Sequence, residues 1–240
     1  MPNDYFQFKH FTIQQENCAM KVCTDACIFG AFVATRMKNR LPVVESILDI
    51  GTGTGLLSLM LAQQTNGRID AVELDGAACK QAKRNFEQSA WRDRLKIVSS
   101  NVLEFYPGKK YDFIISNPPF FEGDLKSGNS KKNAAKHDST LTLEQLLSTI
   151  NKNLSGDGYF AVLLPYHRTE YFKKIAGEAN YFLNEQLLVQ HAARHPFFRS
   201  VLLFSHYEST PLNNELIIKN EDGGYTPEFT SLLKNYYLHL

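Results

Sequence analysis

From about residue 46 onward, short apolar runs alternate with segments of helical spacing, and this alternation leaves very few folds open to the chain. SILDI (46–50), RIDAVEL (68–74), LKIVSS (95–100), YDFIISN (111–117) and YFAVLLP (159–165) read as strands. LLSLMLAQQ (56–64), GAACKQAKRNFEQSA (76–90), LTLEQLLSTINKNL (141–154) and HRTEYFKKIAGEA (167–179) read as helices, the third closed by a turn at SGDG. Strand–helix alternation predicts a parallel sheet covered on both faces. The rhythm then breaks. NEQLLVQHA (184–192) and FRSVLLFSHY (198–207) are strands joined by a link too short for a parallel crossover, so an antiparallel hairpin is expected at the end of the sheet. The expectation is an α/β fold: a seven-stranded, mostly parallel sheet with an antiparallel terminal hairpin and helices on both faces.

A single domain over residues 1–240 is expected, with an N-terminal extension (1–45), the core (46–207) and a C-terminal strand/helix tail (208–240). The extension contains a strand-like FKHFTI and a helix starting near Thr24, with Thr24 or Asp25 as its cap. The tail contains ELIIKN, a turn at EDGG and a helix-like PEFTSLLKNYYLHL. A 240-residue chain that is 43% hydrophobic buries enough surface to need no staples. Its net charge of +1 excludes a global polycation, so any nucleic-acid binding must come from local patches. No apolar stretch approaches membrane-spanning length, and MPNDYFQFKH lacks a signal-peptide core, so a cytoplasmic protein is expected. Cys18, Cys23, Cys27 and Cys79 form no Cys-x-x-Cys pair and read as reduced, partly buried thiols, with no metal site expected.

LDIGTGTG (48–55) joins the first core strand to the first core helix. Glycines at 51, 53 and 55 allow a tight turn and close approach of a ligand, and the next helix points its amides into that space. A dinucleotide fingerprint would need its third glycine at 56, where the chain has Leu, so a nicotinamide oxidoreductase is excluded on spacing. Asp49 suits a ligand amine better than a pyrophosphate. Glu73, about twenty residues past the loop, can accept from both ribose hydroxyls, while Asp75 reads as a helix cap. Asn101 could contact an adenine edge or serve as a cap. Asp49 to Gly55, Glu73, Asn101 and Asn117 all fall at strand carboxyl ends, where open α/β sheets bind ligands.

These residues resemble class I S-adenosylmethionine-dependent methyltransferases, with DIGTGTG similar to their first motif and Glu73 to their ribose-binding acid. The resemblance implies a Rossmann-like fold and S-adenosylmethionine as cofactor, with S-adenosylhomocysteine as product. Its pocket is expected from Asp49, Gly51, Thr52, Gly53, Gly55, Glu73, Leu74, Asn101, Val102 and Asn117. Asn117-Pro118-Pro119-Phe120 resembles the [DN]-P-P-[FYW] tetrapeptide of methyltransferases that alkylate a planar nitrogen. An exocyclic amine conjugated to a ring is a poor nucleophile. The Asn117 side-chain oxygen and the Pro118 carbonyl can each accept one of its N–H groups, turning the lone pair toward the methyl and offsetting charge that develops on nitrogen. Phe120 offers a face for an extruded base. Asn117, Pro118 and Phe120 are thus the expected catalytic residues.

The tetrapeptide does not choose among adenine N6, guanine N2 and glutamine N5. The flanking FKHFTIQQENCAMKVCTDACIFGAF (8–32), KKNAAKHDSTLTLEQLL (131–147) and ELIIKNEDGGYTPEFTSLLKNYYL resemble the bacterial tRNA1(Val) adenine-37 N6-methyltransferase family over nearly the whole chain. That resemblance implies methylation of the adenine just 3′ of the anticodon in a valine tRNA, and no obligate protein partner is evident. Lys132-Asn133 and Ala135-Lys136-His137 depart from the arginine-rich pattern of the family, losing the bidentate fork but keeping charge. Ala26 and Cys27 stand where members often have glycine and leucine. Phe121, Lys126, Lys131, Lys132, Lys136 and His137 follow the tetrapeptide in a long basic segment (122–140) suited to an RNA backbone, whereas Lys109 and Lys110 read as solvated charge. The alternatives are a release-factor glutamine-N5 methyltransferase, which usually carries tyrosine in the tetrapeptide and a larger N-terminal domain, a guanine-N2 RNA methyltransferase, and a non-catalytic RNA- or cofactor-binding module.

Overall fold

The computed structural model describes residues 3–16, 18, 21–119 and 141–240. Among them, eight strands form one sheet: β3 (Ser46–Ile50), β4 (Arg68–Glu73), β5 (Leu95–Ser99), β6 (Tyr111–Ser116), β7 (Leu154–Pro165), β8 (Phe182–Ala192), β9 (Phe197–Ser205) and β10 (Leu212–Lys219). Their order is β10-β8-β9-β7-β6-β3-β4-β5. The pairs of β3 with β4 and β6, of β4 with β5 and of β6 with β7 are parallel, and β9 is antiparallel to both β7 and β8. From β3 the chain winds one way to β4 and β5 and the other way to β6 and β7, so the sheet reverses beside β3, where such sheets bind ligands.

The hairpin expected at 184–207 is present as β8 and β9. The sheet has eight strands rather than seven because β10, from the tail, pairs parallel with β8 as a new edge. SGDG is not a turn. Asn153 ends a helix and Leu154 begins β7 at once, with Ser155 to Gly158 absorbed in a register shift against β6 between Tyr111 and Phe113. FKHFTI is not one strand either. β1 (Tyr5–Gln7) and β2 (Thr12–Gln14) pair in a small hairpin, with Phe8 and Phe11 stacked at its turn.

Two cores lie on the two faces of the sheet. One holds α1 (Thr24–Asn39), α2 (Leu56–Ala62), Phe86 of α3 (Gly76–Glu87) and α6 (Pro227–Leu233). The other holds α4 (Leu143–Asn153) and α5 (Thr169–Glu178). α1 is buried from Asp25 through Ala34, as befits a helix apolar nearly all round. Gly30 lets it approach α2: a Cβ there would stand 2.6 Å from Met60 Sδ. α3 is capped by Asp75, whose side chain accepts from Ala78 N at 2.7 Å, and α4 by a Thr142–Gln145 capping box. α1 has neither expected cap. Its N-cap is Cys23 with no side-chain bond, and Asp25 instead takes Arg199 Nε at 2.7 Å, tying α1 to β9. Among the described residues no helix is long and apolar enough to cross a membrane.

Candidate functional site

Ser116 and Ile50 are partners in the β6–β3 register, and Ser116 Oγ donates to the Ile50 carbonyl at 3.0 Å. The glycine loop and Asn117 therefore leave neighbouring strands side by side, roughly one strand spacing of about 4.8 Å apart. Gly51 and Thr52 donate backbone N–H to Val72 O at 2.9 and 3.2 Å, which bends the loop over β4. Gly55 has φ +87°, and a Cβ there would stand 2.5 Å from the Phe86 ring, so the turn is closed to any side chain by both backbone and packing.

Asp49 is fully buried beneath this turn. Its Oδ2 accepts from Thr52 Oγ1 at 2.6 Å and Ser58 Oγ at 2.7 Å, whereas Oδ1 is buried with no hydrogen-bond partner. Burial pushes the carboxyl up to about 6, with the neighbouring Glu73 charge adding to the rise and the two hydroxyls opposing it. Glu73 is fixed at both ends. Oε2 accepts from Gly53 N and Oε1 from Asp75 N, each at 2.8 Å. Each oxygen retains lone-pair capacity for a further donor such as a ribose hydroxyl. The clamp of Glu73 on Gly53 is a structural task that sequence spacing did not suggest.

The remaining expected cofactor residues are spread around this end. Leu74 is exposed directly after β4. Asn101 Oδ1 accepts from Leu103 N at 3.1 Å, capping the short 3-10 turn Val102–Glu104, so the capping alternative describes that oxygen. Val102 is half-buried against the second core. Asn117 is half-buried as a residue, but its Oδ1 is buried and lacks a partner among the described residues, while Pro118 behind it is buried. Phe120, Phe121, Lys126, Lys131, Lys132, Lys136 and His137 lie outside the described residues.

Two unpartnered acceptors, Asp49 Oδ1 and Asn117 Oδ1, thus flank a glycine turn open at Gly51 and Gly53, where an added Cβ meets nothing within 4 Å. Two carboxylates at the ends of neighbouring strands favour a cationic ligand. S-adenosylmethionine, with an ammonium, a sulfonium and a ribose diol, fits this donor set, and it would supply the methyl group. Asp49, the 51–55 turn and Glu73 would hold it; Asn117 Oδ1 would accept from the nucleophile.

Beyond the expected residues, an apolar cleft opens beside Asn117, between Pro118, Pro119, Leu141, Leu143, Leu164 and Pro165, with His167 and Arg168 at its rim. Sequence periodicity placed 167–179 in a helix and so missed the rim. His167 and Arg168 belong to a 3-10 turn (Tyr166–Arg168) before α5, and no local pattern marks them as site residues. Lys109 and Lys110 are exposed, as expected of solvated charge, and each also has a partner: Lys109 Nζ meets Asp70 Oδ2 at 2.8 Å, and Lys110 Nζ donates to Lys152 O at 2.5 Å. The four cysteines form no disulfide among the described residues, and burial pushes the Cys23 and Cys27 thiols up to about 12, leaving them protonated.

Residues 29–159 match the model of the methyltransferase small domain family. A curated relative from Dyadobacter fermentans, named tRNA1(Val) (adenine(37)-N6)-methyltransferase, is 43% identical over 98% of both chains. One of the same name from Cytophaga hutchinsonii is 38% identical over the full length of both. Among solved structures, one described as a predicted O-methyltransferase from Agrobacterium tumefaciens superposes with a TM-score of 0.67 at 14% identity, over 88% of this chain and 96% of that one, which speaks for the fold.

Proposed function

We propose a substrate and a division of labour for this chain from the premise that it belongs to the methyltransferase small domain family and, within it, to the tRNA1(Val) (adenine(37)-N6)-methyltransferases. It is an S-adenosylmethionine-dependent methyltransferase. Its substrate is a transfer RNA, and the acceptor is N6 of adenine 37, next to the anticodon of a valine tRNA, in the cytoplasm. The observation that carries this reading is the buried, unpartnered Asn117 Oδ1 one strand from the glycine turn. A buried acceptor without a donor is costly, and an exocyclic N–H would satisfy it.

In this reading the Asn117 side chain and the Pro118 carbonyl each take one N–H of the amine. Pro118 and Pro119 hold that carbonyl with little entropy to lose. The base lies against Phe120. The amine proton leaves during or after attack, so no strong base is needed. Residues 1–240 act as one domain, and Lys126, Lys131, Lys132, Lys136 and His137 meet RNA phosphates.

Asn117→Ala is expected to abolish methyl transfer to unmodified tRNA, by 10²-fold or more as for loss of a transition-state hydrogen-bond acceptor or donor, while calorimetry still shows cofactor binding. Mapping the labelled nucleoside by mass spectrometry should place the methyl on adenosine N6. Near-normal turnover in the variant, or label in guanosine or in protein, overturns the proposal.

A further inference from the structure

The connection from β5 to β6 carries no α-helix. Residues 100–110 form only the 3-10 turn Val102–Glu104 and a loop, where the connections after β3, β4 and β6 each hold a helix. The consequence falls on one face of the sheet. Side chains alternate along a strand. Ile69 and Ala71 of β4 enter the first core, which leaves Arg68 and Asp70 on the other face with Val72 of the second core. On β5, Leu95 and Ile97 pack on the first core, and Lys96 and Val98 stand on that same second face, with Asp70 opposite Lys96 in the register. A cleft of about 420 Å³ is left there, lined by Arg68, Lys96 and Val98 from the sheet and by Phe105, Pro107 and Lys109 from the loop.

The charges of this cleft are not balanced. Asp70 is the carboxylate that register sets beside Lys96 and two residues from Arg68, yet its Oδ2 is taken by Lys109 Nζ and Tyr111 Oη, each at 2.8 Å. Arg94 donates to the Gly67 and Ala62 carbonyls at 2.8 and 3.0 Å, and Asp93 has Arg92 at 3.9 Å. None of these groups is counted as a contact for a ligand. Arg68 and Lys96 remain. Both are exposed, and neither side chain has an ion pair or hydrogen bond among the described residues. Two residues along and one strand across, their Cα atoms stand about 8 Å apart, close to the separation of neighbouring phosphates on a nucleotide chain.

We propose that this cleft is a second foothold for the substrate RNA, in which Arg68 and Lys96 take backbone phosphates away from the target base; the proposal rests on the RNA-methyltransferase reading above. The register gives the distance. Ser116, Ile50, Val72 and Val98 lie in one row across the sheet, so Asn117 is level with Glu73 and Ser99. Arg68 is five residues below that level and two strands away, and Lys96 is three residues below and three strands away. Both therefore stand roughly 17–19 Å from Asn117. At about 3.4 Å per stacked nucleotide, that is on the order of five nucleotides, within the stem that supports a hairpin loop. The catalytic pocket holds one base, so the rest of a polyanion must be held elsewhere. A chain of net charge +1 has few cations for that task, and these two stand unneutralised because Asp70 is committed to Lys109 and Tyr111. Contacts to phosphate position an RNA without reading its sequence. The foothold therefore sets affinity and register, and selection of the target falls to the Asn117 pocket.

The test uses the full-length protein with labelled cofactor and two unmodified RNAs, whole valine tRNA and a hairpin cut back to the anticodon loop and its closing base pairs. Wild type is compared with Arg68→Gln, Lys96→Gln, their double variant, a charge-conserving pair (Arg68→Lys with Lys96→Arg) and Lys83→Gln, a control exposed on α3. The double variant should raise KM for whole tRNA about 10-fold, with kcat, cofactor affinity by calorimetry and the midpoint of chemical denaturation unchanged. The slope of log KM against log salt should fall by about one in each single variant and about two in the double. It should hold in the charge-conserving pair and in Lys83→Gln. The short hairpin should give the same KM with wild type and double variant. Wild-type KM and slope in the double variant on whole tRNA, or an equal loss on the short hairpin, overturn the foothold while leaving the RNA-methyltransferase reading intact. A slope that falls as far in Lys83→Gln does the same, since it would show general attraction rather than a site. Wild-type protein that labels no nucleoside of the tRNA overturns both.

Discussion

Asp49 and Glu73 show how two carboxylates take different tasks around one turn. Glu73 spends both oxygens on backbone amides and so stiffens the loop, whereas Asp49 keeps one oxygen without a partner in a fully buried place. Burial pushes Asp49 up to about 6, above its unfolded value near 4. The native chain therefore binds more protons than the unfolded chain between about pH 4 and 6, and ligand-free stability falls as pH rises through that window. Above it, both states are ionised and the cost of burying the charge is fully present. Asp49→Asn, which keeps an acceptor for Thr52 and Ser58, should raise the ligand-free stability at pH 8 by roughly 2–3 kcal/mol, about two pKa units. The midpoint of chemical denaturation followed at pH 4, 6 and 8 checks this, since the gain must vanish by pH 4. The same variant should lose cofactor affinity, and wild-type affinity should fall below pH 6 as the carboxylate is neutralised. A gain that persists at pH 4 would mean that the charge is not its source.

At the scale of elements, the small β1–β2 hairpin is tied to the cofactor turn by one side chain. Asn85, on α3, accepts from Gln14 N at 3.0 Å and donates to Gln14 O at 3.1 Å and to Thr54 O at 2.8 Å. It is almost completely buried, and the next residue, Phe86, packs on Gly55. Asn85→Asp keeps the shape and one bond but sets a carboxylate against two carbonyls. The expected outcome is a melting temperature several degrees lower, on the order of 2 kcal/mol, with cofactor affinity weakened more than KM for tRNA. Calorimetric titration beside tRNA kinetics separates the two effects; equal losses on both sides would assign Asn85 to general stability alone. Nothing in FKHFTIQQ announces this contact, because Gln14 meets Asn85 through its backbone, whose bonds carry no side-chain signature. The core strands were legible for the opposite reason. SILDI and YDFIIS are apolar on both faces, and only a doubly covered sheet accommodates such runs. The tail strand was read at ELIIKN, but its place in the sheet was hidden because the first half of β10, LNNE, is polar and its partner β8 lies some 27 residues away. SGDG carries the residues of a turn, and only the register shift against Tyr111 turns it into strand. Of the site, DIGTGTG, Glu73 and Asn117 could be read from spacing, whereas the 166–168 rim could not, since it acquires meaning only when β9 folds back beside β7.

At the scale of the whole molecule, the extension and the tail close on each other over one face of the sheet. Lys9 N donates to Tyr236 O at 2.8 Å, Tyr236 Oη reaches Met60 O at 3.1 Å, and Phe229 and Leu233 of α6 are completely buried in the core that contains α1. The charged part of this closure is a buried cluster. Arg36 of α1 grips Glu185 of β8 through Nε and Nη2 at 2.7–3.0 Å, and Asn214 of β10 donates to the same carboxylate at 2.7 Å. Three segments distant in sequence thus share one carboxylate whose side chain is 4% exposed. Its desolvation offsets most of the attraction, so the pair adds little net stability, but either partner left alone is costly. Arg36→Met should therefore lose about 3–5 kcal/mol, mostly from the stranded Glu185 charge, with Asn214 too weak a donor to replace the guanidinium. Glu185→Leu combined with Arg36→Met should regain most of that loss. Urea denaturation of both single variants and the double gives the coupling directly. A double variant as unstable as the sum of the singles would show that the cluster works by packing alone, and that the fixing of α1 and β10 to β8 does not depend on its charge.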